Sequence, residues 1–157
     1  DGDYVQINSA DYAFEYDDSF TIMLWARMYD GTRFLCTHRY HLSRSQFRTR
    51  GSQGLTVNTG IEDDDWHHMA VTYSGSGETR RLAVSVDGTE VDTSNTTGSP
   101  LSSYPFMDLR MGMTRHSGGQ WSHVVIDDVR IYSRALTAQE IQTLYAQTKE
   151  DYLVQGR

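Results

Sequence analysis

Short segments of alternating apolar and polar residues run through most of this sequence, and clusters of Gly, Ser, Asp and Asn separate them. In the segment 20–28, Phe20, Ile22 and Leu24 share one face. The opposite face is also largely apolar, as in an inner strand that is covered on both sides. Further strands are predicted at 4–8, 33–38, 41–48, 54–59, 66–73, 80–87, 89–93, 106–113 and 121–132. Short strands at such close spacing predict an all-β sandwich or barrel.

One helix is predicted near the end of the chain, within the segment RALTAQEIQTLYAQ at 134–147. Thr137 and Glu140 match a capping box, in which the hydroxyl and the carboxylate each accept a hydrogen bond from a free backbone N–H. The residues that follow at helical spacing and form one apolar stripe are Ile141, Leu144 and Tyr145. We therefore expect this helix to dock on the strands.

The length and the cysteine count limit how the chain can be stabilised. Its 157 residues suit a single domain, 1–157, with a core that needs no covalent cross-links. Cys36 is the only cysteine, so no disulfide can form within the chain. No apolar run approaches the roughly 18 residues of a membrane span, so we expect no membrane insertion. The sequence starts at Asp1 without a signal peptide, and we expect a mature fragment or an excised module.

Basic residues are concentrated in one part of an acidic chain. The net charge of −7 argues against nucleic acid as a partner, because phosphate binding depends on Lys and Arg. Between Gly31 and Ile61 there is no Asp or Glu, and five arginines give this segment a charge of +5, which leaves −12 for the rest. The five are Arg33, Arg39, Arg44, Arg48 and Arg50. They form either a binding patch or a pair of strands whose arginines lie over the surface.

Six phrases follow one another along the chain in the order of a known family. They are GDYVQI (2–7), FTIMLWAR (20–27), WHHMAVTYSG (66–75), LAVSVDGTEV (82–91), LRMG (109–112) and VIDDVRIYSRALTAQEIQTLY (125–145). With them the chain resembles laminin-G-like, concanavalin A-like jelly-roll domains of the bacterial type, and the Arg-rich region 33–59 departs most from that pattern. The resemblance implies a two-sheet antiparallel jelly roll, often with a calcium ion, that binds carbohydrate or protein. It also implies an extracellular or cell-surface location, beside other domains of a larger parent protein.

The segment EDDDWHHMAVTY at 62–73 combines acids with imidazoles, the groups used in metal sites and in acid–base catalysis. Adjacent residues of a strand point to opposite faces, so His67 and His68 cannot bind one metal together. We interpret both histidines as framework residues and the acids before them as a solvated loop. The resemblance agrees, because Trp-His-His belongs to the scaffold of similar domains.

The strand predicted at 121–132 contains a candidate metal ligand. Alternation places Asp127 on one face with Val125, Val129 and Ile131. Asp128 lies on the other face, where an ion pair with Arg130 explains it. A charge among aliphatic side chains must be paired, hydrogen-bonded or metal-bound, and oxygen ligands suit Ca²⁺. The resemblance implies that Asp127 binds a structural calcium ion together with Asp3; the alternative is a carboxylate that accepts hydrogen bonds from backbone N–H groups.

The Arg-rich segment THRYHLSRSQFRTR is the best candidate for ligand binding. If it stays extended, His38, Tyr40, Leu42 and Arg44 share one face. Aromatic rings stack on sugars, and arginine forks bind carboxylates or sulfates, so this composition suits an acidic glycan. The candidate ligand-binding residues are His38, Arg39, Tyr40, Arg44, Arg48, Arg115 and Trp121. For Trp121, packing at the start of a strand is the alternative.

Catalysis has little support in the sequence. Glycosidases need two carboxylates at a defined separation, and the Glu-x-Asp-x-x-Glu run of laminarinase-type jelly rolls is absent, as are the Gln-Ile-His and Tyr-Phe-Lys signatures of jelly-roll alginate lyases. We therefore expect a non-catalytic, lectin-like module that binds an acidic glycan or a cell-surface polysaccharide. The competing hypothesis is a structural or protein-interaction module without a sugar site, and a lyase or hydrolase is the least favoured.

Overall fold

The computed structural model describes residues 4–8, 18–37, 40–50, 54–75, 79–97, 109–113 and 121–154. Within them the chain forms eleven strands and one helix. The strands are β1 (Val5–Ile7), β2 (Phe20–Met28), β3 (Arg33–Cys36), β4 (Tyr40–Ser43), β5 (Gln46–Thr49), β6 (Thr56–Asn58), β7 (Trp66–Ser74), β8 (Arg80–Val86), β9 (Thr89–Thr96), β10 (Leu109–Met111) and β11 (Val124–Tyr132). The helix, α1, runs over Ala138–Leu153.

The strands pair into two antiparallel sheets. One sheet has six strands in the order β1-β10-β3-β4-β5-β6, and the other has five in the order β11-β2-β7-β8-β9. Each neighbouring pair within these sheets is antiparallel. Two stacked antiparallel sheets with one C-terminal helix form a jelly-roll sandwich, so the predicted fold class is confirmed.

The hydrophobic core lies between the two sheets, and β2 shows how the sequence builds it. Phe20, Ile22 and Leu24 face inward and are almost completely buried. On the opposite face of the strand, Met23 and Trp25 are buried as well, because they lie beneath the helix. The absence of a polar face in β2 is therefore explained by cover on both sides, as the sequence predicted.

Helix α1 begins at the predicted capping box. The Thr137 hydroxyl accepts a hydrogen bond from the Glu140 backbone N–H at 3.3 Å, and the Glu140 carboxylate accepts one from the Thr137 N–H at 2.8 Å. The helix docks on the outer face of the five-stranded sheet through aromatic contacts. Tyr152 stacks on Trp25 with 4.2 Å between ring centroids, and the Trp25 Nε1–H donates to the Thr148 hydroxyl at 3.0 Å.

The two long sides of the sandwich differ. On one side β6 meets β9, where the backbone N–H of Asn58 donates to the Asp92 carboxylate at 2.7 Å. On the other side β1 and β11 leave an apolar groove of about 250 Å³, whose lining includes Val5, Met111 and Ile126. Within the described residues, no helix is long and apolar enough to cross a membrane.

Several predicted strands have different limits in the structure. The predicted strand at 41–48 is wrong in one respect, because it is two strands, β4 and β5, joined by a turn at Arg44 and Ser45. The hydroxyl of Ser43 stabilises that turn by bonding to both the backbone N–H and the carbonyl of Gln46. The last strand starts at Val124 rather than at 121.

Candidate functional site

A row of polar side chains crosses the outer face of the six-stranded sheet. Residues that are directly opposite each other in neighbouring strands point to the same face of a sheet. The register therefore places on one line Gln6, Arg110, Cys36, His41, Arg48 and Thr56. The alternate positions of these strands, such as Leu35, Leu42 and Phe47, face the core. Among the described residues, α1 is the only helix, and it lies against the other sheet.

Positive charge dominates this outer face. The six strands contain no Asp or Glu, whereas four arginines lie on or beside the row: Arg33, Arg48, Arg50 and Arg110. In the described part of the chain, no carboxylate forms an ion pair with any of the four. Arginines that are not paired within the protein keep their donors available for an external anion. We call these four arginines together with His41 the basic face.

His41 lies near the centre of the basic face and is only 3% exposed. Its Nδ1 has no hydrogen-bond partner among the described residues. Burial first, and then the nearby positive charges of Arg33, Arg50 and Arg48, together lower the pKa of His41 to about 4. The imidazole is therefore neutral at pH 7, and the charge of the basic face comes from the arginines.

Two exposed aromatic residues lie at the β1 end of the row. Trp121 is 46% exposed and Tyr4 is 48% exposed, and their ring centroids are 6.1 Å apart. Trp121 is held in place by a β-bridge to Met113, two residues beyond β10. The Trp121 ring is thus about half exposed, and its role in ligand binding stays a prediction. Exposed aromatic rings of this kind provide apolar faces for stacking.

Tyr40 and Arg44 do not have the surface positions expected of them. Tyr40 is 5% exposed and packs in the core against Phe20 and Phe47, so its ring cannot stack on an external sugar. Arg44 forms an ion pair with the Asp64 carboxylate and also donates to the carbonyl of Met28. The guanidinium of Arg44 therefore ties the β4–β5 turn to the other sheet. Of the candidate ligand residues, Arg48 and Trp121 are on the surface, whereas His38, Arg39 and Arg115 lie outside the described residues.

A bulge in β11 changes the position of Asp127 on which the calcium prediction is based. The bulge interrupts β11 after Asp127, and Asp128 has a positive φ of 47°. Because the bulge reverses the alternation, Val129 and Ile131 pack against the core while Asp127 is exposed. The Asp127 carboxylate accepts a hydrogen bond from the Asp128 N–H at 2.7 Å.

The neighbouring carboxylate, that of Asp128, has a partner within the strand. Asp128 accepts two hydrogen bonds from Arg130, at 2.9 and 2.8 Å, so the predicted ion pair is confirmed. The described residues contain no group of three His, Cys, Asp or Glu side chains that could hold a metal ion. Of the two predicted calcium ligands, Asp127 is among the described residues and Asp3 lies outside them. The calcium ion stays a prediction.

The two histidines of the segment 62–73 separate as expected. His68 is buried beneath α1, where its ring packs at the edge of Trp25 with 5.4 Å between centroids. His67 instead bridges two carboxylates at one end of the sandwich: Nδ1 lies 2.8 Å from Asp87 and Nε2 lies 2.9 Å from Asp63. The hydrogen bond to Asp87 is the largest of the effects that raise the pKa of His67 to about 9. This clamp fastens a loop to a hairpin, which is a framework role.

The sequence prediction placed Tyr40 and Leu42 on a surface face, whereas they face the core, and it did not select His41, Arg33, Arg50, Arg110 or Tyr4. The alternation of apolar and polar residues between Tyr40 and Arg48 did indicate which side chains face the core. Leu42 and Phe47 are large apolar residues, so Tyr40 shares the core-facing parity of Leu42, while His41 and Arg48 have the opposite parity. Arg110 required the register between β10 and β3, which is a long-range pairing that local patterns do not contain.

The fold defines a two-sheet jelly-roll domain. The chain belongs to the Laminin_G_3 family of the concanavalin A-like lectin/glucanases superfamily, whose family model matches residues 1–142. A comparison with curated protein sequences gives no significant match.

Solved structures that are similar to this chain include two botulinum neurotoxin structures and a pentraxin. One is type C, whose uptake into cells is dependent upon interaction with two ganglioside molecules (13% identity, TM-score 0.68, covering 92% of this chain and 39% of that chain). Another is the binding domain of neurotoxin DC in complex with rat synaptotagmin II (14%, 0.68, 92% and 40%). The third is the heptameric SAP-like pentraxin from Limulus polyphemus (15%, 0.60, 81% and 69%). The chain spans about two fifths of the neurotoxin chains, and at these identities the likeness shows the fold alone.

Proposed function

We propose that this chain is a non-catalytic, lectin-like module that binds an acidic glycan through the basic face, within a larger extracellular or cell-surface protein. The observation that carries the proposal is a sheet face with four arginines and no carboxylate partner for them among the described residues. A guanidinium donates two parallel hydrogen bonds to a carboxylate or a sulfate. Such anions are the charged groups of uronate and sulfated polysaccharides.

The surroundings of the basic face favour a glycan over other anions. Tyr4 and Trp121 expose aromatic rings at one end of the row, and such rings pack against the C–H face of a sugar. The similar neurotoxin type C interacts with gangliosides, which are acidic glycolipids. The six strands contain no Asp or Glu, so they do not themselves supply the pair of carboxyl groups that glycoside hydrolysis needs.

The proposal is tested with an array of matched glycans, carboxylated, sulfated and neutral, at low and at high salt. We expect binding to acidic glycans that weakens in high salt, because exposed charges are screened. The substitutions Arg48→Ala and Arg110→Ala should each weaken binding about tenfold, since a hydrogen bond to a charged group contributes roughly 1.5–3 kcal/mol.

Arg81→Ala is the matched control for these substitutions. Arg81 lies in the other sheet and is ion-paired with Glu90 at 2.5 Å, so binding should not change in that variant. Preference for neutral glycans, or an equal loss in all three variants, would contradict the assignment to the basic face.

A protein-interaction module is the second candidate, and the groove between β1 and β11 favours it. Tyr4 and Val5 are large residues that line the groove and are about half exposed. Contiguous exposed apolar surface is typical of protein contacts. Under this alternative no glycan binds, whereas Val5→Ser abolishes association with another domain of the parent protein and Arg48→Ala does not.

A further inference from the structure

Helix α1 is attached to the sandwich through contacts that lie outside the main core. The core cluster between the two sheets contains no residue of the helix. Of the sixteen residues of α1, two are buried, Ile141 and Tyr152. Two separate clusters lie beneath the helix, one around Met23 and one around Trp25. The helix can therefore leave the outer face of the five-stranded sheet while the main core stays closed.

Two buried polar atoms beneath α1 lack a hydrogen-bond partner. The His68 Nδ1 and the Trp66 Nε1 are both buried, and neither has a partner among the described residues. Trp66 packs against Tyr152 of the helix, and His68 packs against Tyr145. A buried polar group without a partner costs free energy that hydration would recover. The interface between helix and sheet is therefore weakened at these two atoms.

The His68 imidazole is enclosed by rings from two elements. It is 3% exposed, and its ring centroid lies 5.4 Å from that of Trp25 on β2 and 5.7 Å from that of Tyr145 on α1. Because Tyr145 belongs to the helix, displacement of α1 would open one side of the imidazole to water.

The charged groups around His68 do not compensate for its burial. Asp87, in the turn between β8 and β9, and Asp128 of β11 attract a proton to the imidazole, and Arg130 of β11 repels it. Tyr145 of α1 stays uncharged, because burial raises its pKa. Burial is the largest effect and, with Arg130, outweighs the two carboxylates, so the pKa of His68 falls to about 4. At pH 5 the imidazole is therefore neutral beneath the docked helix, whereas a hydrated imidazole is mostly protonated.

We propose that α1 is an acid-released latch: at mildly acidic pH, protonation of His68 displaces the helix from the sheet and exposes the aromatic surface formed by Trp25 and Trp66. Docking gains the stacking of Tyr152 on Trp25, whereas opening gains the hydration of His68 and Trp66. Acid shifts this balance because the open form accommodates the histidinium ion. The latch lies on the opposite sheet from the basic face, so it does not depend on the proposed function.

Acid, rather than alkali, weakens the docking of the helix. His68 takes up a proton at about pH 6.5 when it is hydrated and at about pH 4 beneath the helix. Its contribution to docking is therefore fully present above pH 6.5 and is lost as the pH falls towards 4. Between pH 7 and pH 5 the ratio of open to docked helix should rise about twentyfold.

Hydrogen exchange followed by mass spectrometry at pH 7, 6 and 5 tests the latch, after correction for the pH dependence of intrinsic amide exchange. The protection of the amides of α1 should fall about twentyfold between pH 7 and pH 5, while that of β2 stays unchanged, because local opening limits exchange in the helix. His68→Gln should remove this pH dependence, since its side chain does not titrate. His123→Gln is the matched control and should retain it, because His123 is exposed and stacks on Tyr29 rather than on α1.

NMR titration of the His68 ring protons in the wild type is a second measurement that needs no variant. Selective loss of protection in α1, together with a His68 pKa below 6.5, supports the latch even if His68→Gln does not fold. Equal loss of protection in α1 and β2 indicates global acid unfolding and overturns the latch. Unchanged protection of α1, a pH dependence that persists in His68→Gln, or a His68 pKa of 6.5 or above overturns it as well.

Discussion

The His67 clamp predicts an unusual dependence of stability on alkaline pH. Its imidazole lies between the carboxylates of Asp63 and Asp87, at 2.9 and 2.8 Å, and the His67 side chain is only 16% exposed. Hydrogen bonds to the two carboxylates, the one to Asp87 first, raise its pKa from 6.5 to about 9, against the opposing effect of burial. The clamp therefore contains a histidinium ion at neutral pH.

The sign of the effect follows from the two pKa values. In the folded chain His67 holds its proton up to about pH 9, and in the unfolded chain only up to about 6.5. The stabilisation is therefore fully present below pH 6.5 and is lost as the pH rises through 9. At about 1.4 kcal/mol for each pH unit between the two values, the upper bound is about 3 kcal/mol. Asp63 is largely exposed and its interaction is screened, so we expect about 1–2 kcal/mol.

Urea unfolding measured at intervals between pH 6 and pH 10 tests this prediction. The free energy of unfolding of the wild-type chain should fall by about 1–2 kcal/mol relative to that of His67→Gln, whose side chain does not titrate. His123→Gln is the matched control, because His123 is exposed and bonded to neither Asp63 nor Asp87. Parallel profiles for the wild type and His67→Gln, or titration of His67 below pH 7 by NMR, would refute the charged clamp.

Three further predictions concern stability. Gly88→Ala should destabilise the chain by about 1–3 kcal/mol, because Gly88 has φ +77° and an added Cβ would lie 2.7 Å from Tyr145 Cδ1. Gly31→Ala is the control: an added Cβ there meets open space, so it should have little effect in the same urea titration. Thr137→Ala should cost about 1 kcal/mol through loss of the helix cap, whereas Thr143→Ala, at an exposed site of the same helix, should not lower the unfolding midpoint. Removal of calcium by a chelator should lower the melting temperature of the wild type, since a ligand of the native state stabilises it by mass action. If the chelator changes the melting temperature of neither the wild type nor Asp127→Asn, the calcium prediction is contradicted.

Local patterns in the sequence predicted those features that depend on local rules. The cap of α1 requires only Thr137 and Glu140 at the right spacing, and the double cover of β2 follows from the lack of a polar face. The ion pair between Asp128 and Arg130 is likewise a contact between near neighbours in the chain.

The errors arose where one local event changed the direction of many side chains. The bulge in β11 reverses the alternation between Asp127 and Arg130, and a strict period of two does not include it. In the Arg-rich segment, the turn at Arg44 ends the strand and commits that arginine to Asp64. Two consecutive Asp residues in β11 were a usable hint, because Asp tolerates the positive φ that Asp128 adopts.

The uneven distribution of charge gives the basic face a physical advantage beyond its direct contacts. Acidic residues of the regular elements are found on the other side of the sandwich, in β9, β11 and α1, and none is found in the six strands of the basic sheet. An acidic glycan of the proposed kind would thus be repelled from one sheet and attracted to the other, so it would approach in the orientation that suits binding. Steering of this kind raises the association rate more than the lifetime of the complex. Added salt should therefore slow association by the wild type more than it speeds dissociation, and the aromatic contact at Trp121 should determine the dissociation rate.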